Sequence, residues 1–156
     1  MKSFTSVAAW TAALFSLPQI VSAWPGQPYT PIFNNVTIFS PPASWTDKST
    51  SYARTVLLNQ NCEQGTPVLL STFAQSPPDG PYFSIFKSTN EGVSWSEISQ
   101  VRFNAAPTGI ILQPFLYELP QPFGKYPAGT VLLAGNAIPG TFDSTNIQLY
   151  ASEDKG

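Results

Sequence analysis

The sequence predicts an all-β fold built from repeated strand units, and three observations carry that expectation. Proline (16) and glycine (10) together occupy 26 of the 156 positions, which leaves little room for helices of ordinary length. Seven short runs rich in β-branched and aromatic residues are divided by turn residues, and no window carries a helical period. The first of these runs recur in the second half of the chain, the mark of a repeat architecture.

Residues 1–23 read as a secretory signal peptide. Lys2 supplies the positive start, an apolar stretch follows from Val7 to Leu17, and Val21-Ser22-Ala23 places small residues before a cleavage site. Pro18 and Gln19 end the apolar run well short of the roughly 20 residues of a membrane span. Cleavage after Ala23, an extracellular location and no membrane attachment afterwards are therefore expected. Residues 24–51 form a Pro- and Ser-rich segment with one strand-like run, Val36 to Phe39. The sequon Asn35-Val36-Thr37 makes Asn35 a candidate N-glycosylation site in a secreted chain.

The first unit, residues 52–107, holds four strand-like runs: Tyr52 to Asn59, Val68 to Phe73, Tyr82 to Ser88 and Trp95 to Phe103. The second, residues 108–156, holds three: Leu112 to Leu119, Thr130 to Ala134 and Ile147 to Ser152. Val68-Leu69-Leu70 recurs as Val131-Leu132-Leu133, and Ile85-Phe86-Lys87-Ser88 as Leu149-Tyr150-Ala151-Ser152. A four-stranded unit repeating about every 60 residues is what a β-propeller blade requires, each blade burying its faces against its neighbours. The expectation is one complete blade, a second lacking its last strand, and a lone strand at Val36 to Phe39.

Composition removes whole classes of chemistry. Seven basic and nine acidic residues give a net charge of −2, with no basic footprint for nucleic acid or an anionic membrane. There is no histidine, which excludes Ser-His and Cys-His nucleophile pairs and imidazole-ligated metals. Cys62 is the sole cysteine, so an internal disulfide and a CxxC site are excluded; a buried free thiol is the expectation. No cofactor or metal is implied.

The octapeptide Ser88-Thr89-Asn90-Glu91-Gly92-Val93-Ser94-Trp95 resembles the Asp-box of the sialidase-like, or BNR-repeat, propellers, with Asn90 where the box has Asp. Its chemistry suits a hairpin: Gly92 tolerates positive φ, Asn90 accepts from turn amides, and Trp95 is expected to return into the core. Ser152-Glu153-Asp154-Lys155-Gly156 matches the first five positions of another box in the same register. Ser88, Asn90, Gly92, Trp95, Ser152, Asp154 and Gly156 are accordingly read as structural turn residues, at the end of the blades opposite the ligand. An EF-hand-type calcium loop is not supported by their spacing.

A wider set of residues resembles fungal family 93 glycoside hydrolases: Tyr52-Ala53-Arg54, Gln113 to Pro120, Pro127 to Asn136 and Leu149 to Gly156, within a similarity running from about Ile38 to Gly156. The resemblance implies a secreted six-bladed propeller, a retaining exo-1,5-α-L-arabinanase acting on plant cell-wall arabinan without a metal. It also implies that both catalytic glutamates lie in later blades, so no catalytic residue is assigned here. On that reading the chain is an N-terminal part of the enzyme and inactive by itself. A non-catalytic carbohydrate-binding propeller and a truncated, non-functional product are the alternatives.

Blade geometry then selects substrate-binding candidates. The starts of the innermost strands border the central funnel, which puts Arg54 and Gln113 at similar stations. Arg54 is a candidate for a forked contact to substrate oxygens or for holding a carboxylate ionised, against a salt bridge or a blade-to-blade contact. Gln113 is a candidate for a sugar hydrogen bond, against an amide contact to the adjoining blade. Tyr82 and Phe142 are considered as stacking platforms, with rim packing the favoured role. Glu63 and Glu118 read as solvated acids, and Asp47 as a carboxylate close enough in sequence to reach the funnel. None has the second carboxylate, about 5 Å away, of a retaining site. The expected partner is carbohydrate, with neither nucleic acid nor membrane.

Overall fold

The computed structural model describes residues 35–63, 65–103 and 108–154; the targeting segment, Lys155 and Gly156 lie outside them. No helix occurs among the described residues, so none is long and apolar enough to cross a membrane. Among the described residues seven strands form: β1 (Thr50–Glu63), β2 (Thr66–Gln75), β3 (Tyr82–Ser88), β4 (Ser96–Arg102), β5 (Gly109–Glu118), β6 (Val131–Pro139) and β7 (Asn146–Ser152). They make two antiparallel sheets, β1-β2-β3-β4 and β5-β6-β7, each a simple meander. All seven strands read from the sequence are present. Val36 to Phe39 is not an eighth: these residues pair with no strand, and backbone groups without a ladder partner do not define one. Phe39 instead packs on Trp45, Phe73 and Phe86, covering one face of the first sheet.

The opposite face of that sheet meets the second. Leu58, Val68, Leu70, Phe83 and Ile85 from one side and Ile111, Leu116, Val131, Leu133 and Ala137 from the other share a single apolar cluster. Leu58, Val68 and Leu70 have no exposed surface, and each such aliphatic side chain contributes about 2 kcal/mol when removed from water. The Phe83 ring lies over Gly135, where an added Cβ would stand 2.6 Å from its edge. Glycine is required there by a close approach.

The ladders correct the repeat by one residue. Leu70 pairs with Lys87 and Leu132 with Ala151, while Ser88 and Ser152 end their strands at matching places. Leu70 is therefore the equivalent of Leu132, not of Leu133. The two Val-Leu-Leu triplets present opposite faces, because a shift of one residue in a strand reverses every side chain. Phe73 is thus the counterpart of Gly135. In the first sheet this position carries a ring stacked on Phe86 and Phe39; in the second it is empty and receives Phe83.

Candidate functional site

The pairings divide each sheet into two ends. Thr50–Gln75, Gln75–Tyr82 and Tyr82–Arg102 line up across one end of the first sheet, while Leu69–Ser88 and Lys87–Ser96 lie toward the other. The start of β5 and the end of β6 occupy the first of these ends in the second sheet, and Ser152 the second. The box turns and the starts of the inner strands are therefore at opposite ends, as the sequence reading requires.

The box end is built by local chemistry. Glu91 (φ 60°) and Gly92 (φ 87°) are both left-handed, and Val93 N–H donates to Asn90 O at 3.2 Å, the geometry of a type I′ turn. Ser88 Oγ accepts from Gly92 N–H at 2.9 Å, and Asn90 Oδ1 accepts from Ser94 N–H at 2.9 Å. Asn90 Nδ2 donates to Ser94 Oγ at 2.8 Å, a bond that a carboxylate cannot donate, so asparagine closes the turn in its own way. Trp95 is only half-buried; its indole N–H donates to Gly92 O at 2.9 Å and caps the turn instead of entering the core. In the second box Ser152 Oγ pairs with Asp154 Oδ1, and Gly156 lies outside the described residues.

Glu118 and Cys62 depart from expectation. Glu118 is 8% exposed and is not a solvated acid: its carboxylate accepts from the backbone N–H groups of Asn59 and Gln60 and, at 2.7 Å, from Asn61 Nδ2. The register break in β1 between Leu57 and Cys62 takes those amides out of the ladder, and the end of β5 supplies their acceptor. Asn61 Nδ2 also donates to Gly129 O at 2.9 Å, tying the two sheets together. The same break leaves Cys62 exposed, not buried. Glu63 pairs with Lys87 at 3.0 Å.

At the other end, both inner strands carry a bulge. Tyr52 (φ 58°) lies between the Ser51–Ala74 and Arg54–Thr72 pairs, and Gln113 (φ 55°) between Leu112–Asn136 and Phe115–Ala134. The ladder equivalent of Gln113 is therefore Tyr52, and that of Arg54 is Phe115; Arg54 and Gln113 do not share a station. Gln113 is exposed, and its Oε1 accepts from Asn136 Nδ2 at 3.0 Å, an amide contact within its own sheet and not to the neighbouring one. Arg54 is exposed and donates from Nη1 to the Ala53 carbonyl at 3.3 Å. A cavity of about 410 Å³ is lined by Tyr52 together with Phe39, Phe73, Thr37, Thr50 and Ser71.

The rim of this end is fixed by Arg102. Its Nη2 donates to Asp79 Oδ2 at 2.7 Å and to Gln100 Oε1 at 3.1 Å, and its guanidinium lies 4.7 Å from the centre of the Tyr82 ring. Tyr82 is 5% exposed and committed to that stack, so it offers no face to a sugar. Burial, with Glu97 and Asp79 nearby, pushes its phenol above the ordinary value despite Arg102. Phe142 is 63% exposed on the turn after β6 and keeps an open ring. Asp47 accepts from Ser49 Oγ and Ser49 N–H, and these bonds hold its carboxyl below the usual value; it closes a local turn. Among the described residues no cluster of three acidic, Cys or His groups is suited to a metal.

The strand start at Tyr52 is read from the sequence as part of this end, but the contact of Gln113 with Asn136 and the grouping of Arg102 with Asp79 and Tyr82 are not. One signal was present: Pro114 inside a strand cannot donate to the ladder, which marks a bulge at Gln113-Pro114. Ala53, at the same place in the first sheet, carries no such mark.

Meander sheets stacked face to face, with box turns at one end and bulged inner strands at the other, define blades of a sialidase-like β-propeller. Among solved structures the chain is similar to the family 93 α-L-arabinofuranosidase of Fusarium graminearum in complex with arabinobiose, at 42% identity and a TM-score of 0.66. It is also similar to a Penicillium chrysogenum α-L-arabinanase complexed with arabinobiose, at 40% identity and a TM-score of 0.68. A further Fusarium structure, with an iminosugar inhibitor, gives 43% and 0.67. Each match covers 80% of this chain, which spans about a third of those proteins (33–34%). The family 93 resemblance seen in the sequence thus holds for fold and sequence together. No protein-family model matches the chain, and neither does a curated protein sequence.

Proposed function

We propose that this chain supplies the opening two blades, and part of the sugar-binding funnel, of a secreted glycoside hydrolase that acts on arabinan with retention of configuration. The observation that carries the reading is identity of 40–42% over 80% of the chain to two fungal enzymes whose structures hold arabinobiose. The polar groups at the funnel end suit that ligand. Arg54 is exposed, and the Gln113 amide is oriented through its oxygen by Asn136, leaving its NH₂ to donate to a sugar hydroxyl.

Hydrolysis is not assigned to this length of chain. A retaining mechanism needs a nucleophile and an acid/base about 5 Å apart across the glycosidic bond. Glu118 is held by backbone amides, Glu63 by Lys87, Asp79 by Arg102 and Asp47 by Ser49. Glu91, Glu153 and Asp154 belong to the box end, Glu97 accepts from Gln100 on β4, and Asp143 is exposed in the loop between β6 and β7. The test is to titrate the purified chain with linear 1,5-α-L-arabino-oligosaccharides, following binding by NMR and products by chromatography. Binding without hydrolysis is expected. Release of arabinobiose above a buffer control overturns the non-catalytic assignment, and absence of any binding at millimolar ligand overturns the carbohydrate reading.

A further inference from the structure

Tyr52 and Gln113 stand at the same ladder position in the two sheets, and each adopts a left-handed backbone conformation without being glycine. A side chain at positive φ is strained, and for a bulky aromatic residue such as tyrosine the strain is greatest. Two independent sequences, Ser51-Tyr52-Ala53 and Leu112-Gln113-Pro114, nevertheless keep a large side chain where glycine would relax the bulge. Strain of this kind persists where the surroundings over-determine the conformation, and it collects at ligand-binding places. Neither side chain is consumed by the core: Tyr52 is 43% exposed and Gln113 is exposed. Bulges re-aim side chains, and these two lie at the end of the blades away from the structural box turns. Of the aromatic rings at this end, Tyr82 is committed to Arg102 and Phe142 lies in the loop after β6, so Tyr52 is the ring carried by the bulge of an inner strand.

We propose that Tyr52 and Gln113 are a matched pair of sugar-contacting residues, one from each inner strand, the bulges turning both side chains into the funnel. In this arrangement the Tyr52 ring covers the apolar face of a pentofuranose unit while the Gln113 NH₂ donates to a hydroxyl of the same oligosaccharide. The proposal rests on the carbohydrate reading above and adds to it a platform residue and the reason for the strain.

Two consequences separate this role from packing. Asparagine tolerates the left-handed region far better than tyrosine, so Tyr52→Asn removes strain and ring together. Titration of the full chain and of Y52N with linear arabinotriose, followed by NMR, is expected to give affinity weakened about tenfold, the order of one ring stacking contact. Thermal unfolding of the same variant is expected at an equal or higher midpoint, by up to a few degrees. Unchanged affinity in Y52N, with the parent binding, overturns this inference and leaves the carbohydrate reading standing. A lowered midpoint with affinity intact also overturns it, because the ring is then a packing element. If the parent chain binds no arabino-oligosaccharide, the functional reading fails and this inference fails with it.

Discussion

Replacing Glu118 by alanine tests whether the two sheets are held together by a specific clamp as well as by their apolar faces. The carboxylate accepts from two backbone amides and one side-chain amide of β1, and the donors at Asn59 and Gln60 lie where the strand has left its ladder. Losing the acceptor strands three donors at about 1–3 kcal/mol apiece; because Asn59 and Gln60 themselves are exposed, water meets part of the loss and the low end applies, about 3 kcal/mol in total. Glu118→Gln keeps the shape and one good acceptor but turns an NH₂ toward a donor, so roughly half that loss, about 1–2 kcal/mol, is expected. Urea unfolding followed by tryptophan fluorescence measures both, and the alanine variant should melt on the order of 10 °C lower. Asn61→Ala alone and in combination completes a cycle whose coupling should exceed about 0.5 kcal/mol. An alanine variant within about 0.5 kcal/mol of the parent would refute the clamp and assign the inter-sheet stability to the apolar cluster alone.

Gly135→Ala should destabilise by roughly 1–3 kcal/mol, since the new methyl meets the Phe83 ring at 2.6 Å; Phe83→Leu in the same background should recover part of it, read by thermal unfolding. The raised phenol of Tyr82 favours the neutral form in the folded state, so its contribution is complete below the unfolded value of 10.0 and is lost as pH rises through the higher folded value; Tyr82→Phe should flatten the fall in stability above pH 10. Phe115, Tyr117, Ile147 and Leu149 are 47–70% exposed on the second sheet, so the isolated chain should self-associate at micromolar concentration, and Phe115→Lys with Leu149→Lys should shift sedimentation toward monomer. Expression in a eukaryotic secretory host should place the chain in the medium, beginning at Trp24, with a mass that peptide-N-glycosidase lowers unless Asn35 is changed to Gln.

The sequence was most informative where the determining interactions are local. The first box lies within eight residues, and its bonds join Ser88, Asn90, Gly92 and Ser94 to one another, so pattern and structure coincide. β3 agrees with its reading end to end because turn residues bound an apolar run on both sides. Register was less legible. Two identical Val-Leu-Leu triplets invite superposition, yet the bulges before them and the turn lengths between strands set the true correspondence one residue away. Glu118 was illegible for a different reason: its partners lie 57 to 59 residues earlier and became available only because β1 breaks its ladder there. The kinship of Arg54 with Gln113 failed on register alone: the two bulges fall at the same place and absorb one residue each, and the ladders match Tyr52 with Gln113 and Arg54 with Phe115.

That one-residue correction bears on the site as well as on the fold. With Leu70 matched to Leu132, Phe73 corresponds to Gly135, and the two sheets differ most where they are most alike in topology. In the first sheet the position is filled by a ring that stacks on Phe86 and meets Phe39; in the second it is hollow and receives Phe83 from the sheet before it. A phenylalanine at 135 would collide with Phe83, and a glycine at 73 would leave a void under Phe39, so the two units are not interchangeable despite their shared ladder. Gly135 lies on β6, next to the strand that carries Gln113, and Phe83 lies on β3, separated from the strand of Tyr52 by β2, Phe83 pairing with Ala74 and Ala74 with Ser51, beside the bulge. On the second sheet Gly135 lies across from the bulge, between Asn136, which pairs with Leu112, and Ala134, which pairs with Phe115. The packing of Phe83 on Gly135 therefore joins the two sheets at the same end as the bulged residues that are proposed to grip the sugar.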